Sequence, residues 1–280
     1  MFEPFQYEFF LRGLVAATLV GGLCGLIGVY IVLRQMAYIG HGLSHAIFGG
    51  AVVSYVLSIN FFLGASAWGF LSALIITFTT RRKEIAADAA IGIVTTASFA
   101  LGLALISRYK TFTRSFDAAL FGNILGVSGQ DLVAIIVVSL ISVVAIILGY
   151  KLLLFTTFDR EVAHIHGVPT GWIDAGFSLI LAATIVVSLQ VLGVTLIASA
   201  IVIPPVVARL LTNSFIKMIV LSSIIGSLCG LCGIYLSFYI DVSSGATIVL
   251  FSTALFGIVM AYTSLRHKSR LRRMSKISEF

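Results

Sequence analysis

Charged residues are scarce in this sequence: aspartate, glutamate, lysine and arginine together make up 10% of its 280 residues. A soluble domain carries about 25% charged residues and is about 45–50% apolar, whereas 59% of this chain is hydrophobic. An ordinary soluble fold is therefore excluded. Because one membrane-spanning helix takes about 20 apolar residues, the chain has room for about eight or nine spans and for no separate soluble catalytic domain.

Cysteine is also rare. Three cysteines are present and all lie in apolar runs, so the sequence indicates no disulfide framework. Cys229 and Cys232 have the spacing of a metal or redox pair, but within an apolar helix we interpret them as two small packing residues. The N-terminal MFEPFQYEFF lacks the basic segment of a cleavable signal peptide, so we expect the first span to be retained.

The apolar runs predict an all-α, polytopic integral membrane protein. Lipid offers no hydrogen bonds, and a helix satisfies every backbone amide within its own segment. We expect one transmembrane domain over 1–265, followed by a basic cytoplasmic tail over 266–280. Small residues recur in GGLCGLIG (21–28) and GSLCGLCG (226–233), which predicts closely packed helix backbones. The predicted helices cover 10–33, 41–59, 61–80, 88–107, 131–156, 172–189, 191–211, 216–239 and 246–265.

The positive charge, +7 net, is concentrated at one place, and much of it lies in SLRHKSRLRRMSK (264–276). A basic flank after a last span is typical of the cytoplasmic side. No basic face interleaved with aromatic residues occurs, so nucleic acid is not a predicted partner. With the tail inside, further basic residues fall inside too: Arg34, 81–83, Lys151, Arg160, Arg209 and Lys217. Three residues do not fit, so we expect 108–130 to fold partly back into the protein; they are Arg108, Lys110 and Arg114.

Carboxylates are missing from the interiors of the predicted spans, which leaves a proton- or sodium-driven carrier without an obvious relay. The aspartates nearest to the spans are at predicted helix ends or in loops: Asp88, Asp117, Asp174 and Asp241. The G-x-x-x-x-G-K-[ST] phosphate loop is also absent, so ATP, if it drives transport, binds to another chain. We therefore predict a transport subunit rather than an enzyme.

The segment YIGHGLSHAIFGG (38–50) places His41 and His45 four residues apart in an otherwise apolar helix. Residues i and i+4 share one helix face, so the two imidazoles can reach one metal ion. Polar groups at membrane depth are costly, and such groups are functional by default. Two core histidines that hydrogen-bond to carbonyls or to a serine are the alternative to a metal contact.

An intramembrane metalloprotease would also place two histidines four residues apart on a helix. Its chemistry needs a glutamate beside the first histidine as the general base. Gly42 occupies that position, and no acid occurs in 35–59. An intramembrane metal-dependent enzyme is therefore the weakest alternative.

The most polar internal stretch is TTFDREVAHIHGVPTGW (156–172), between two long apolar runs. Asp159 and Glu161 lie where a short helix would begin, which suits the helix dipole, and Gly167 with a proline two residues later would end it. Such a helix could dock a soluble partner, and a solvated connector is the alternative.

Pro204 and Pro205 lie inside the predicted helix 191–211. The pair removes backbone hydrogen bonds and predicts a kink. Kinks at membrane depth are tolerated where helices line a pathway or form a hinge, and a kink that serves packing alone is the alternative.

Six segments together form a specific set of motifs along nearly the whole chain: 34–50, ADAAIGI (87–93), LFGNILGV (120–127), FDREVAHIHGVP (158–169), QVLGVTLIASAIVIPP (190–205) and SSGATIVL (243–250). By these motifs the chain resembles the membrane permease subunits of ATP-binding-cassette metal importers (ABC-3 type), the group that handles manganese, zinc and iron. It looks most like the manganese branch.

The resemblance implies a coupling loop over 157–170, whose short helix inserts into an ATPase subunit. Its motif residues are Phe158, Asp159, Glu161, Ala163 and Gly167. The resemblance further implies a second permease copy, two copies of a cytoplasmic ATP-binding subunit and an extracytoplasmic metal-binding protein that delivers the ion. It places the chain in the lipid of a bacterial cytoplasmic membrane, with the C-terminus inside and no permanently bound cofactor.

The histidine segment departs from the family pattern, which typically reads G-D-x-x-S-H. Here the residues are Gly40-His41-Gly42-Leu43-Ser44-His45, so a histidine stands where an aspartate is usual. Two copies across a two-fold axis would bring four imidazoles together. Imidazole suits zinc, nickel or iron, and manganese accepts more oxygen.

We weigh the whole-chain resemblance above this ligand argument, because the delivery protein rather than the gate would select the metal. The expected cargo is Mn²⁺, then Zn²⁺, with iron third. A secondary metal carrier without an ATPase is the alternative from a different class.

Overall fold

The computed structural model describes residues 3–80, 85–109, 120–122 and 124–277. Within these ranges the chain is helical and has no β-strand, which confirms the predicted all-α class. Short 3-10 turns lie at Glu3–Gln6 and Ile124–Gly126. The described residues form eleven α-helices: α1 Glu8–Leu33, α2 Ala37–Val56, α3 Phe61–Thr80, α4 Ala87–Tyr109, α5 Gly129–Leu148, α6 Tyr150–Phe158, α7 Arg160–Ile165, α8 Thr170–Leu192, α9 Ile197–Leu211, α10 Phe215–Ile240 and α11 Ser244–Ile277.

In the described part of the chain, seven helices are long and apolar enough to cross a membrane: α1, residues 62–80 of α3, α4, α5, α8, α10 and residues 244–266 of α11. α2 has 20 residues, as α3 has, but its two histidines lower its hydropathy. α9 is apolar and has 15 residues. Both helices pack within the bundle, α2 against α3 and α4, and α9 against α1, α10 and α11. The structure thus shows seven candidate spans, and α2 and α9 would bring the number to the expected eight or nine.

Several predicted helix boundaries are wrong. α2 begins at Ala37 rather than at 41, and α11 continues to Ile277, so much of the tail predicted after 265 is helical. The run predicted as one helix over 131–156 divides at Gly149, where α5 ends and α6 begins. The helix predicted over 191–211 begins only at Ile197, because α8 continues to Leu192 and Gly193 then adopts a φ of 75°. Glycine reaches positive φ at little cost, so Gly193 ends α8 and turns the chain.

The most extensive contact between two described helices is that of α1 with α10. A β-carbon added at Gly21 would lie 2.2 Å from the carbonyl oxygen of Gly226, and one added at Gly25 would lie 2.4 Å from that of Ser222. The hydroxyl of Ser222 donates to the carbonyl of Gly25 at 2.7 Å. The two backbones touch at small residues, which confirms the close packing predicted for 21–28 and 226–233.

The helices run up and down, so their ends lie on two sides of the bundle. We call the side that holds α6 and α7 the α7 end. It also holds the last residues of α1, α3, α5 and α9 and the first residues of α2, α4, α8 and α10. The other side is the opposite end. The cluster at 81–83 lies outside the described residues.

At the opposite end, residues 120–122 and 124–128 fold back against the turn between α8 and α9. Thr195 donates to the carbonyl of Leu120 twice, from its backbone nitrogen at 3.3 Å and from its hydroxyl at 2.8 Å. This part of the expectation for 108–130 is confirmed. Lys110 and Arg114 lie outside the described residues.

Three glycines let the backbones meet there, and we call Gly122, Gly193 and Gly245 the glycine junction. Gly122 and Gly193 have φ angles of 79° and 75°. A β-carbon at Gly193 would lie 2.3 Å from the backbone nitrogen of Gly122, and one at Gly245 would lie 2.6 Å from the carbonyl oxygen of Phe121. The junction therefore joins 120–122, the α8–α9 turn and the start of α11.

Candidate functional site

The structure brings His41 and His45 together on one face of α2, as their spacing predicts. Their ring centroids lie 4.6 Å apart, and both residues are half-buried. The ring of His45 meets Phe99 of α4 edge to face at 5.2 Å, and the ring of His41 lies 5.6 Å from that of Tyr38. The pair therefore lies along the contact between α2 and α4.

Gly42 determines how closely α2 and α4 approach beside this pair. A β-carbon added at Gly42 would lie 2.2 Å from Cγ2 of Ile91 and 2.7 Å from Oγ1 of Thr95. A glutamate at position 42 would not fit there, which agrees with the exclusion of a metalloprotease. Sequence reasoning missed Thr95, whose buried Oγ1 has no hydrogen-bond partner among the described residues. Its one signal in the sequence was its place just after the motif 87–93.

One chain offers two imidazoles and an incomplete ligand set. Among the residues that the structure describes, no group of three or more histidine, cysteine or acidic side chains could hold a metal ion. The hydroxyl of Ser44 donates back to the carbonyl of His41 at 2.8 Å, so its proton is already used within α2. Cys229 and Cys232 are free thiols on α10, apart from the histidines. Within the described residues, the two imidazoles are thus the only such ligands grouped at this place.

The predicted short helix is present as α7. The carboxylate of Asp159 caps it by accepting a hydrogen bond from the backbone nitrogen of Val162 at 2.9 Å. Ala163 is fully buried and holds α7 against the bundle. Gly167, with a φ of 77°, turns the chain after the helix. The boundaries predicted from 158 to 167 thus agree with the structure.

Large apolar side chains around α7 point away from the bundle. Phe158 is 64% exposed, Ile165 is 79% exposed and Trp172, at the start of α8, is 81% exposed. Phe158 also touches Phe215 at the start of α10, with a centroid distance of 5.8 Å. We call Phe158, Val162, Ile165 and Trp172 the α7 patch.

An ion-pair network, which sequence reasoning missed, fixes α7 to the bundle. Asp174 of α8 accepts from Arg34 Nη1 at 2.9 Å and pairs with Arg160 Nη2 at 2.9 Å. Arg34 also donates to the hydroxyls of Thr157 and Thr156, both at 3.0 Å. From the sequence, Arg34 and Arg160 are basic residues of the inner side and Asp174 is an aspartate near a helix end, and only tertiary packing brings these distant positions together.

A cavity of about 330 Å³ adjoins this network at the α7 end. Its walls come from α1, α2, α3, α6 and α8. It is lined by both arginines and Asp174 and by several hydroxyl side chains, among them Thr77, Thr80 and Ser178.

Pro204 and Pro205 lie inside α9, and both are buried. Pro205 has no amide hydrogen to donate to the carbonyl of Ile201, four residues earlier. A β-carbon added at Gly28 of α1 would lie 1.9 Å from that carbonyl oxygen. In this conformation α1 thus packs closely against α9 at the carbonyl group that Pro205 leaves without a hydrogen bond. The hinge role of the two prolines stays a prediction.

The sequence model of the ABC 3 transport family matches residues 6–263, which is most of the chain. The chain belongs to the ABC 3 transport family. A "Manganese transport system membrane protein MntC" from Halalkalibacterium halodurans is 38% identical over 258 residues, which cover 92% of this chain and 88% of the relative. A "Probable iron transport system membrane protein" from Haemophilus influenzae is 35% identical over 269 residues, which cover 95% of this chain and 98% of the relative.

A solved structure has the same fold. It is described as "PsaBC from Streptococcus pneumoniae in complex with Fab", and the TM-score is 0.81 at 34% sequence identity, with 90% of this chain and 91% of that chain covered. The resemblance read from the motifs is therefore confirmed, and the spanning helices make this ABC 3 protein a multi-pass membrane protein.

The motifs of this ABC 3 protein collect at few places in the fold. The segment 34–50 forms the histidine face of α2, and 158–169 forms α7. LFGNILGV (120–127), the start of QVLGVTLIASAIVIPP (190–205) and SSGATIVL (243–250) meet at the glycine junction. Sequence reasoning did not predict that 120–127, the start of 190–205 and 243–250 touch one another, because only the folded chain brings these three segments together.

Proposed function

We propose that this chain is the permease subunit of an ATP-driven importer for a divalent transition-metal ion. The observation that carries the proposal is the His41–His45 pair, two half-buried imidazoles 4.6 Å apart within a membrane bundle. Neutral imidazole is the commonest metal ligand among side chains. Membership of a transport family makes passage of the ion, rather than chemistry on it, the function that fits the pair.

Mn²⁺ is the proposed cargo, ahead of Zn²⁺ and iron. In its favour, relatives from Halalkalibacterium halodurans and Listeria monocytogenes, at 38% and 37% identity, are named for manganese transport. The two imidazoles alone favour zinc, and the relative from Haemophilus influenzae is named for iron. Selection by a delivery protein before the ion reaches the pair reconciles the manganese names with histidine ligands.

A second permease copy completes the metal contact in this proposal. Two-fold symmetry would place His41 and His45 of both copies around one pathway. An ion held by such a set must also leave it, so weak binding suits transport better than a closed structural site does.

The ATPase docks at α7. A cap by Asp159, the acidic Glu161 in the first turn and the exposed α7 patch give a short, rigid helix with apolar side chains for a soluble partner. Hydrophobic side chains of this size are otherwise costly to expose to water. In this proposal two ATP-binding subunits serve the two permease copies, which form one translocase complex with them.

We further propose how the chain lies in a bacterial cytoplasmic membrane. The α7 end and the C-terminal tail 266–280 face the cytoplasm, and an extracytoplasmic metal-binding protein delivers the ion at the opposite end. Residues 1–265 act as one transmembrane domain. The Pro204–Pro205 segment of α9 bends when the pathway opens to either side.

Reconstitution tests the function directly. We expect right-side-out vesicles that contain the permease and its ATP-binding subunit, with the metal-binding protein and Mn²⁺ supplied outside, to accumulate Mn²⁺ only when ATP is enclosed. A matched control carries an ATP-binding subunit whose phosphate-loop lysine is replaced by alanine. Uptake that is unchanged with this control, or by the permease alone, would instead identify a secondary carrier.

A further inference from the structure

Asp174 on α8 joins two arginines that belong to different parts of the α7 end. Its Oδ1 lies 2.9 Å from Nη1 of Arg34, directly after α1, and its Oδ2 lies 2.9 Å from Nη2 of Arg160, the first residue of α7. Each carboxylate oxygen thus has its own guanidinium. One side chain connects α1, α7 and α8.

The two arginines are held very differently. The side chain of Arg34 is 9% exposed, and its guanidinium also bonds to Thr156 and Thr157 of α6 and stacks on the ring of Phe177 at 4.8 Å. Arg160 is 51% exposed, and its guanidinium is tied to the bundle, as far as the described residues show, by the ion pair with Asp174. Arg34 therefore forms a fixed anchor and Arg160 a contact that can be broken and remade.

Space for movement lies beside the anchor. The cavity of about 330 Å³ is lined by Arg34, Arg160 and Asp174 and by Phe158 of α6. The cavity gives α6 and α7 room to shift, and its hydroxyl side chains can exchange hydrogen-bond partners during such a shift.

We propose that Arg34, Asp174 and Arg160 are positioning residues that carry the motion of the docked ATPase from α7 into α1 and α8. The inference rests on the proposed function, because it takes α7 as the docking helix. α8 packs against α2 and α3, and α1 packs against α9 and α10. A displacement of Asp174 is therefore passed on by α8 to α2, which carries the histidines. Through Arg34 it is passed on by α1 to α9, which carries the prolines.

The test compares transport with ATP hydrolysis in the intact complex of permease and ATP-binding subunit. Arg160→Gln removes one ion pair, and Asp174→Asn removes both without changing the shape of the side chain. We expect the ATPase to remain bound in both variants, while the Mn²⁺ transported per ATP falls by at least about fivefold. The double variant should be no worse than Asp174→Asn, because both changes break the same connection.

Arg209→Gln is the matched control, because Arg209 is an exposed arginine in the last turn of α9 at the same end. It should leave the ratio unchanged. A wild-type ratio in Arg160→Gln with the ATPase bound would overturn the relay, even if Asp174→Asn does not fold. Loss of ATPase binding in Arg160→Gln would overturn it too, because the residue would then serve docking. Failure of the wild-type chain to bind an ATPase would refute the proposed function instead.

Discussion

The proposed metal contact of the two histidines of α2 can be tested by substituting each of them. If both contact the ion, His41→Ala and His45→Ala should each lower ATP-dependent Mn²⁺ uptake by at least about tenfold, because a ligand is lost. Uptake of radioactive Mn²⁺ into vesicles measures this. His267→Ala, which removes a histidine of the tail, is the control. Unchanged uptake and unchanged metal affinity in both α2 variants would assign the pair to packing.

His41 is also the position where family permeases typically carry aspartate. A carboxylate offers manganese an oxygen ligand, whereas imidazole favours zinc. We therefore expect His41→Asp to keep transport and to raise the ratio of Mn²⁺ to Zn²⁺ uptake, measured in competition. An equal loss for His41→Asp and His41→Ala would show that position 41 needs the imidazole itself.

At the level of helices, the cap of α7 provides a test of docking. Asp159→Ala removes the cap of α7 at a cost of about 1 kcal/mol, and adding Glu161→Ala removes the second acidic group of the first turn. Less ATP-binding subunit should co-purify with the doubly substituted permease than with the wild-type permease.

A matched control exists on another helix. Asp131 takes part in the capping box of α5 at the opposite end, where its carboxylate accepts from the backbone nitrogen of Ser128 at 2.8 Å. Asp131→Ala should cost similar helix stability and leave co-purification unchanged. An intact complex with the double variant at α7 would count against the docking role.

The glycine junction allows a prediction about stability. Gly193→Ala forces a side chain into a φ of 75° and towards the backbone of Gly122, so we expect a loss of about 1–2 kcal/mol. Thermal unfolding in detergent should show a lower Tm. Gly176→Ala, inside α8 with no atom within 4 Å of the added β-carbon, should not lower it. Equal Tm values for the two variants would mean that the junction relaxes freely.

The sequence predicted what depends on neighbours along the chain. Four-residue spacing brings His41 and His45 together in any helix, and the acid at 159 with glycine at 167 bounds α7 locally. The end of α8 was missed because the apolar run continues through Gly193. The pair of Arg34 with Asp174 was missed for a different reason: it joins positions 140 residues apart, and only the packing of α1 on α8 decides it.

Over the whole molecule, the spanning helices differ in how much of their length is buried within the chain. In the spans of α1 and α8, 61% and 72% of the residues are buried within the chain, but in α5 and α11 the shares are 17% and 11%. Lipid, and a second copy in our proposal, can cover those outer helices. The relay at the α7 end connects to the buried helices, so motion at α7 acts on the part of the bundle that encloses α2.

The orientation that we propose for the whole chain rests on its charges. Basic residues collect at the α7 end, which the positive-inside rule assigns to the cytoplasm: Arg34, Lys151, Arg160, Arg209 and Lys217. At the opposite end Arg12 is paired with Glu8, and Arg108 in the last turn of α4 is the exposed exception. We therefore expect a membrane-impermeant maleimide to label Ser58→Cys in intact cells and to label Asn213→Cys only after permeabilisation. Both positions are exposed, one at each end, and the three native cysteines are buried or half-buried, so their background should be low. The reverse labelling would place α7 outside, where no cytoplasmic ATPase can reach it, and the coupling proposal would fail together with the orientation.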